Sequence, residues 1–482
     1  MATKSKFQAI RGTRDLLPPE TALWNRVEET ARQVFATFGF GEIRPPIFEE
    51  TDLFARSVGE DTDIVAKEMF SFWDPFDPNY ILTAVSQIGL VTGADVTADL
   101  KRAWEQVESS VKEKVQFVSL RPEATASVCR AYIEHNMQQL PQPVKLFYMG
   151  PMFRRERPQK GRYRQFYQIG AEVLEVLRPE TPNQFATRHP SQAALKDAAT
   201  DAEVIEMVMT YFDRLRLPGA RLDINSIGHD GPDCRRRYIG ALHNELIKIK
   251  DRLGPDSQRR IATNPLRVLD SKVESEQPYI ETLPRIADHL CPDCAAHYAA
   301  LKHQLQLRGV LYRENWRLVR GLDYYMRTTF EITAAGLGSQ NAVCGGGRYD
   351  GLVELLGGTP TKGIGFAIGE DRLILSLQEA REVAVETGRD IYIAWMGEHA
   401  HATAIRAAKT LRAAGISVEL PPVEQKFGKA LERASKLNSR YALILGDNEV
   451  AEGSWTLKTL ADGSQQKFTE PELLDFLKRS RD

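Results

Sequence analysis

Residues 144–175 constrain the fold more than any other part of the sequence, because they form two extended runs joined by a charged loop. The loop, residues 155–163, contains Pro158 and Gly161, which favour a turn. Extended runs on either side of a short turn predict a β-hairpin. Further strands are predicted at residues 221–227, 328–335, 340–344 and 363–368. Extended runs joined in this way favour an antiparallel sheet with helices packed against it.

The second run of the hairpin places a row of distinctive side chains on one face, because side chains alternate between the two faces of a strand. The row consists of Phe166, Gln168, Gly170 and Glu172. An aromatic ring, an amide, a gap and a carboxylate suit a flat ligand that lies on a sheet. Arg154, on the first run, is placed to bind a phosphate with two parallel hydrogen bonds.

The loop of the hairpin is rich in positive charge around a single carboxylate, Glu156. Its cations are Arg155, Arg157, Lys160, Arg162 and Arg164. Such a density of charge suits contact with nucleic acid. A solvated charged hairpin would explain the same run, and the charge alone does not decide between the two interpretations.

Two short motifs also combine charge with aromatic or small residues. Glu123 and Thr125 stand where a helix is predicted to begin, so Glu123 either caps that helix or receives an ammonium group. The run Arg320-Gly-Leu-Asp-Tyr-Tyr325 contains an arginine that can stabilise phosphate charge, although an ordinary Arg–Asp pair with aromatic packing explains it equally well.

The glycine-rich run at residues 363–369 is predicted to be a strand that leaves room for a ligand. A helix is predicted to start near Glu370. Arg372 falls in its first turn, where a cation opposes the helix dipole. This placement indicates an anion, such as a nucleotide phosphate, close by.

Composition places the chain among soluble proteins of a reducing compartment. Its 482 residues carry a net charge of −2, so nucleic-acid contact must come from local patches. The five cysteines are scattered, and no apolar run suits a signal peptide or a membrane helix, so a cytoplasmic protein is expected.

Cys291 and Cys294, with His297, suggest zinc, but a tetrahedral site needs four ligands and no second cysteine pair follows. No metal site is therefore expected.

Pattern changes along the chain predict its domains. Residues 1–228 and 306–380 carry the sheet-forming runs and are expected to form one domain, interrupted by a mostly helical insertion at residues 229–305. Residues 388–482 alternate strand and helix, which predicts an α/β domain with a mainly parallel sheet. Two polar stretches look like further insertions. They are residues 74–114, with a charged helix near 98–114, and residues 178–200, which are expected to be loop-like.

Taken together, these motifs resemble the class II aminoacyl-tRNA synthetases. The Pro45-Pro46 segment resembles their motif 1, which forms a dimer interface. Residues 153–172 resemble motif 2, and residues 363–375 resemble motif 3. Within this class, the run from Arg320 to Tyr325 is similar to the histidine signature of the histidyl-tRNA synthetases. The implied fold is an α+β catalytic domain, its antiparallel sheet flanked by helices, with a helical insertion and a C-terminal α/β anticodon-binding domain.

The resemblance also implies an activity. The expected enzyme activates L-histidine with ATP and Mg²⁺ to histidyl-adenylate, transfers it to the 3′ end of tRNA(His), and works as a homodimer. The residues expected to bind histidine are Glu123, Thr125, Gln168, Glu172, Tyr324 and Tyr325. The residues expected to bind ATP are Arg154, Phe166, Arg320 and Arg372, of which Arg154 and Arg320 are catalytic. The residues expected to contact the tRNA acceptor end are Arg157, Gln159 and Lys160.

One alternative and one departure accompany this resemblance. An inactive paralogue, acting as a regulator or sensor, would share the fold, but such proteins typically lack the ATP-binding arginines and the C-terminal domain. The departure is Ala124, which stands where the family has glycine. If that position requires a positive φ or a close ligand, alanine is expected to weaken histidine binding.

Overall fold

The computed structural model describes residues 7–59, 62, 64–74, 116–177, 191–319, 324–338, 341–380 and 389–480. Nearly all of the polar stretch at 74–114, and residues 178–190 of the second, lie outside the described residues. The chain forms two compact units, one of residues 1–16 and 23–383, the other of residues 17–22 and 384–482. Among the described residues, no helix combines the length and apolar character needed to cross a bilayer.

An eight-stranded sheet lies at the centre of the larger unit. In spatial order its strands are β1 (Gly41–Glu42), β5 (Val144–Phe153), β6 (Gln165–Val176), β11 (Thr361–Gly369), β10 (Ala342–Arg348), β9 (Met326–Thr333), β7 (Arg221–Ser226) and β8 (Arg313–Glu314). The inner pairs are antiparallel, as predicted. The edge pairs β1–β5 and β7–β8 are parallel, so the sheet as a whole is mixed.

A small three-stranded sheet lies beside it, with spatial order β2–β4–β3. Its strands are β2 (Phe48–Glu50), β3 (Phe70–Asp74) and β4 (Gln116–Leu120). The Pro45-Pro46 pair separates β1 from β2, and the two strands enter different sheets. The carbonyl oxygen of Pro45 accepts a hydrogen bond from Arg121 Nη1 at 2.8 Å. The prolines thus mark a crossing from one sheet to another, in keeping with the poor fit of proline inside a strand.

Helices cover the sheets and form most of the region between β7 and β8. In the larger part of the chain they are α1 (Glu20–Thr37), α2 (Thr51–Val58), α3 (Thr125–Glu134), α4 (Ser191–Leu215), α5 (Arg235–Lys248), α6 (Pro255–Thr263), α7 (Gln277–Ile280), α8 (Pro292–Leu307), α9 (Leu352–Leu355) and α10 (Glu370–Glu379). The loop predicted at residues 178–200 is wrong for its last ten residues, which begin α4. The sequence from Ser191 onward is rich in alanine and poor in proline, which favours a helix. The prolines just before Ser191 led to the prediction of a loop across the whole stretch.

The three consecutive glycines from Gly345 to Gly347 lie inside β10. A Cβ atom on Gly346 would lie 2.4 Å from the carbonyl oxygen of Gly365. One on Gly347 would lie 2.4 Å from the carbonyl oxygen of Thr328. Glycine is required here because the neighbouring strands approach too closely for any side chain.

The smaller unit contains a five-stranded sheet with spatial order β13–β12–β14–β15–β16. Its strands are β12 (Ile391–Met396), β13 (Val418–Glu419), β14 (Tyr441–Gly446), β15 (Trp455–Thr459) and β16 (Gln465–Phe468). Its helices are α11 (Glu398–Ala413), α12 (Phe427–Lys436), α13 (Asp447–Glu452) and α14 (Glu470–Arg479). Only the pairs of β12 with β13 and β14 are parallel. The prediction of a mainly parallel sheet is therefore wrong, because β15 and β16 add antiparallel pairs.

A buried ionic network fastens α4 to the sheet of the larger unit. Asp201 on α4 accepts hydrogen bonds from Arg348 Nε at 3.1 Å and from Thr328 Oγ1 at 2.5 Å. Asp201 and Arg348 are almost completely buried. Burial alone would raise the pKa of Asp201, but the Arg348 and His297 side chains outweigh it and hold that pKa well below its usual range.

We expect Asp201→Ala to lower the free energy of unfolding by about 3–5 kcal/mol, because it leaves the Nε and Nη2 groups of the buried Arg348 without their carboxylate partner, with only Asp350 still paired to Nη1. Urea unfolding followed by circular dichroism measures this. Lys248→Ala, which removes an exposed pair with Glu245, is the control and should change the free energy by less than about 1 kcal/mol. Equal effects of the two substitutions would show that the network does not hold α4 in place.

Candidate active site

A cavity of about 270 Å³ opens on the sheet of the larger unit, above β6, β10 and β11. The predicted site residues that line it are Glu123, Thr125, Arg154, Phe166, Gln168, Tyr324, Tyr325 and Arg372. They come from widely separated parts of the chain, and the sheet order brings them together. Arg320 lies outside the described residues. Arg157, Gln159 and Lys160 are exposed on the hairpin loop and do not line the cavity.

Two members of the row predicted on β6 line the cavity, whereas Gly170 and Glu172 do not, and Tyr167 lines it as well. Phe166 and Gln168 both reach the cavity. The Oε1 atom of Gln168 is buried and has no hydrogen-bond partner among the described residues. A buried polar atom without a partner is costly, so this amide has capacity for a polar ligand.

The glycines of the floor accommodate the protein's own side chains, not the ligand for which they were predicted to leave room. A Cβ atom on Gly170 would lie 2.3 Å from the Tyr148 hydroxyl. One on Gly365 would lie 1.7 Å from Glu172 Oε2. Gly369, by contrast, lines the cavity and has no atom closer than 3.9 Å to such a Cβ.

Glu172 lies beneath the cavity and does not line it. Its Oε1 accepts a hydrogen bond from Thr125 Oγ1 at 2.7 Å, and its Oε2 accepts one from the Tyr349 hydroxyl at 2.5 Å. Burial raises the pKa of Glu172 to about 8, although the two hydrogen bonds act in the opposite direction. Sequence analysis missed Tyr349; the signal available was the glycine run before it, which lies in β10, separated from the ligand row on β6 only by β11.

Glu123 caps α3, one of the two interpretations that the sequence left open. Its Oε2 accepts a hydrogen bond from the Thr125 N–H at 2.7 Å, and its Oε1 accepts one from the Ala126 N–H at 3.0 Å. Burial raises the pKa of this carboxyl despite these bonds. Each oxygen retains a second lone pair, so capping leaves Glu123 able to accept a hydrogen bond from a ligand.

Ala124 fits its position without strain. Its φ is −116° and ψ is −13°, a conformation open to any residue. Its side chain is fully buried in a cluster with Val128, Tyr132 and Tyr148. The backbone therefore does not require glycine here, and the methyl group contributes to the core.

Arginines gather around the hairpin loop at one part of the cavity. Arg154 donates Nε to the Pro122 carbonyl oxygen at 2.9 Å, and its guanidinium lies 5.3 Å from the centre of the Phe166 ring. Arg372 donates Nη1 to the Ala342 carbonyl oxygen at 3.0 Å. Burial, followed by the charge of Arg162, lowers the pKa of Arg372. Glu156 also lines this part of the cavity, 3.4 Å from Arg162. Three guanidinium groups are thus concentrated around one carboxylate beside the hairpin loop, an arrangement that suits an anion.

Asp371 and Arg14 hold the hairpin in place and were not identified from the sequence. Asp371 accepts a hydrogen bond from the Tyr167 N–H at 2.9 Å and one from Arg14 Nη2 at 3.1 Å. The Arg14 guanidinium also lies 4.8 Å from the centre of the Tyr163 ring. No local pattern indicates such a contact, because Arg14 and Asp371 are far apart in sequence.

We expect Glu172→Gln to change how stability depends on pH. The pKa of Glu172 is about 8 in the folded chain and near 4.5 in an exposed glutamate, so only the unfolded chain releases this proton between those values. The native protein should therefore lose stability as pH rises from 5 to 8, and the glutamine variant should lose less. Urea unfolding at several pH values measures this, with Glu354→Gln at an exposed position as the control. Parallel pH profiles for native protein and Glu172→Gln would contradict the expectation.

Comparison with known proteins identifies relatives along nearly the whole chain. Residues 107–379 match the model of the tRNA synthetase class II core domain (G, H, P, S and T), and residues 390–480 match that of the anticodon binding domain. The chain is 47% identical over 472 residues to the histidine--tRNA ligase of Koribacter versatilis, which spans 98% of this chain and 96% of the relative. It is 47% identical over 468 residues to that of Solibacter usitatus, spanning 97% and 98%. The crystal structure of apo histidyl-tRNA synthetase from S. aureus is similar with a TM-score of 0.69 at 31% identity, covering 98% of this chain and all of that one.

Proposed function

The chain belongs to the histidine--tRNA ligases within the class II aminoacyl-tRNA synthetases, and we propose that its histidine and ATP meet in the cavity above β6, β10 and β11. The reaction of this family is ATP-dependent activation of L-histidine to histidyl-adenylate, followed by transfer to the 3′ end of tRNA(His). One observation carries the assignment of the site. A single cavity is lined by arginines that suit phosphate groups and by Tyr324 and Tyr325. The polar residues Glu123 and Thr125, at the start of α3, line the same cavity.

The proposed histidine subsite is formed by the start of α3, the middle of β6 and the two tyrosines. Tyr324 and Tyr325 stand with ring centres 4.7 Å apart and line the cavity. Their phenol groups suit the imidazole nitrogens, which need directed hydrogen bonds. Glu123 and Thr125 are assigned to the amino group, and Gln168, with its incompletely bonded amide, to the carboxylate.

The resemblance implied that Glu172 binds histidine directly. We propose instead that Glu172 positions other residues and does not touch the imidazole. Both of its oxygens already accept hydrogen bonds, from Thr125 and Tyr349, and it lies outside the cavity lining. A buried acceptor of this kind fixes the rotamer of Thr125 beside the amino-group subsite. It also fixes Tyr349, whose ring centre is 5.7 Å from that of Tyr324.

The proposed ATP subsite is formed by the arginines and Phe166. Arg154 occupies one face of the Phe166 ring, so adenine would stack on the remaining face. Arg154 and Arg320 are assigned to the α-phosphate, and Arg372 to the γ-phosphate. Mg²⁺ would enter with ATP, and the carboxylate of Glu331, which lines the cavity, offers the oxygen ligands that this ion prefers.

The activation step needs placement and charge stabilisation. The histidine carboxylate attacks the α-phosphorus in line, the bond to the bridging oxygen breaks, and pyrophosphate leaves. Holding both substrates in one cavity replaces an encounter in solution by an oriented contact. Guanidinium groups already fixed by hydrogen bonds to backbone carbonyls stabilise the charge that grows on the phosphoryl oxygens without further reorganisation.

Contacts with tRNA are assigned to two regions. The C-terminal unit is proposed to bind the anticodon, in agreement with the family model that residues 390–480 match. The exposed hairpin-loop residues Arg157, Gln159 and Lys160 are proposed to contact the acceptor end, because the same loop lines the cavity through Glu156 and Gly161. Arg157 and Lys160 carry positive charge that suits a phosphate backbone, and Gln159 offers an amide. A cytoplasmic location is proposed because all five cysteines are unpaired thiols.

We expect Arg154→Ala to lower histidine-dependent ATP–pyrophosphate exchange by about 10²–10³-fold, the usual loss when a group that stabilises developing charge is removed. The assay is run with each of the twenty amino acids. Exchange with histidine alone is the expected result for the native protein. Arg259→Ala, which removes an exposed guanidinium on α6, is the matched control and should retain full exchange.

The same assay separates the enzyme from an inactive regulatory paralogue. Folded protein that binds histidine but supports no exchange with any amino acid would favour the regulator. Exchange that survives Arg154→Ala at the native rate would leave the reaction standing and overturn the assignment of Arg154.

A homodimer is proposed through the face of the three-stranded sheet that carries Phe48 and Phe72. Strand register places both rings on one face, since Phe48 stands opposite Leu120 and Phe72 opposite Val118. Phe48 is 55% exposed and Phe72 is 45% exposed, with Ile47 also exposed beside them. Clustered exposed apolar side chains of this kind mark interaction surfaces.

We expect Phe48→Glu to shift the protein from dimer to monomer, because a buried unpaired carboxylate opposes association. Sedimentation velocity over a range of protein concentrations measures the change. Leu311→Glu places the same charge at another exposed apolar residue and should leave the dimer intact. A monomeric native protein, or a dimer unaffected by Phe48→Glu, would contradict the proposed interface.

A further inference from the structure

Three cysteines and a histidine meet where the helical region between β7 and β8 begins and where α8, the last helix of that region, begins. The Nδ1 atom of His229 and the Sγ atoms of Cys234, Cys291 and Cys294 all lie within 4.8 Å of one another. We propose that these four side chains bind one structural zinc ion. The cluster is separate from the lining of the proposed active site, and the aminoacylation chemistry does not use it.

The distances are close to those that zinc requires. Zn–S bonds of about 2.3 Å and a Zn–N bond of about 2.0 Å in a tetrahedron place neighbouring ligand atoms about 3.5–3.8 Å apart. His229 Nδ1 lies 3.3 Å from Cys294 Sγ and 3.7 Å from Cys291 Sγ. The widest separation in the set is at most 4.8 Å, so side-chain shifts of about 1 Å complete the tetrahedron.

The backbone around the cluster is arranged for close approach. Gly228 has a φ of +62°, and a Cβ atom there would lie 2.7 Å from Cys234 Sγ. The Cys291 N–H points at the same sulfur, at 3.5 Å. Backbone N–H groups directed at sulfur stabilise a thiolate, which is the form that binds metal.

Each ligand stands at the end of a regular element, which fixes its position. His229 follows β7, and Cys234 immediately precedes α5. Cys291 immediately precedes α8, and Cys294 lies in its first turn. Two cysteines separated by two residues at a helix start are a common half-site for zinc. The other half-site is His229 with Cys234, five residues later.

Ordinary packing of buried thiols accounts for the cluster less well. Small hydrophobic side chains do not need an imidazole nitrogen in contact with two of the sulfurs. An odd number of thiols also cannot be consumed as disulfides, and all three are unpaired. A Cys₃His set matches a known closed type of structural zinc site, in which no open position remains for catalysis.

This proposal replaces the expectation, from sequence, that the chain has no metal site. That expectation considered only His297 and cysteine pairs after Cys294. His297 lies on α8 and points elsewhere: its Nε2 is 3.2 Å from the Asp201 carboxylate of α4, and both side chains are fully buried. The missing ligands precede the pair by more than fifty residues, and only the return of the chain to β7 brings them together.

The cluster also bears on the active site through the backbone. Arg235, next to Cys234, donates Nη1 to the carbonyl oxygen of Tyr325 at 2.7 Å. The Arg327 N–H donates to the carbonyl oxygen of Gly228, next to His229, also at 2.7 Å. A zinc ion would therefore fix the loop between β7 and α5, and this loop holds the backbone of Tyr325 through Arg235.

The test is the metal content of the full-length protein, purified without a polyhistidine tag and measured by mass spectrometry of the elements. We expect about one zinc per chain in the native protein. We expect the same in Cys129→Ala, which removes a buried cysteine outside the cluster, and strongly reduced zinc in Cys291→Ser. His229→Ala should lose zinc and His229→Cys should retain it, because a fourth thiolate restores the ligand set.

A second measurement covers variants that fail to fold. Native protein stripped with a chelator is titrated with Co²⁺, whose absorption bands report tetrahedral coordination with thiolate ligands. Its melting temperature should fall on stripping and recover with Zn²⁺ but not with Mg²⁺. Native protein that contains no zinc and gives no thiolate–Co²⁺ bands would overturn the proposal. Zinc that is bound equally by native protein and Cys291→Ser would overturn it as well.

Discussion

The buried carboxyl group of Glu172 joins the elements that surround the cavity. It stands on β6, accepts hydrogen bonds from the start of α3 and from the residue after β10, and fits only because Gly365 on β11 has no side chain. An acid in this environment is costly to ionise, which is why its pKa rises to about 8. In return, the two hydrogen bonds to this carboxyl group fix the relative positions of Thr125 and Tyr349. An apolar side chain would not hold them with the same directionality.

A similar logic applies to the charge around the site. The chain as a whole carries a net charge of −2, yet Arg154, Arg162 and Arg372 gather at one cavity. Two of these guanidinium groups are held by carbonyl oxygens of the backbone, which satisfy the donors without cancelling the charge. Glu156, 4.0 Å from Arg154 and 3.4 Å from Arg162, offsets part of the charge of those two groups. The proposed binding of ATP phosphates therefore rests on this local arrangement and not on overall composition.

Sequence periodicity predicted the parts of the structure that are set by near neighbours. Strand alternation correctly placed Phe166 and Gln168 at the cavity, and the antiparallel centre of the sheet followed from the hairpins. Contacts between distant segments were not predictable in this way. Tyr148 fills the gap at Gly170, and Arg14 pairs with Asp371, because of how the chain returns on itself. The cluster of His229 with three cysteines was missed for the same reason, since its two halves stand at opposite ends of a helical region.

The contact between His229 and the cysteines at the start of α8 makes residues 229–294 an excursion from the sheet, that is, a segment whose two ends lie side by side. Its entry at His229 and its exit at Cys294 lie in contact, so the chain leaves and rejoins the catalytic core at nearly one point. Residues added or removed between α5 and α8 would leave the separation of these ends unchanged, and the entropy of closing a longer loop grows only slowly with length. Strand β7, which precedes the excursion, pairs with both β8 and β9, which follow it. This part of the molecule can therefore change in size and surface over evolution while the register of the catalytic sheet stays fixed.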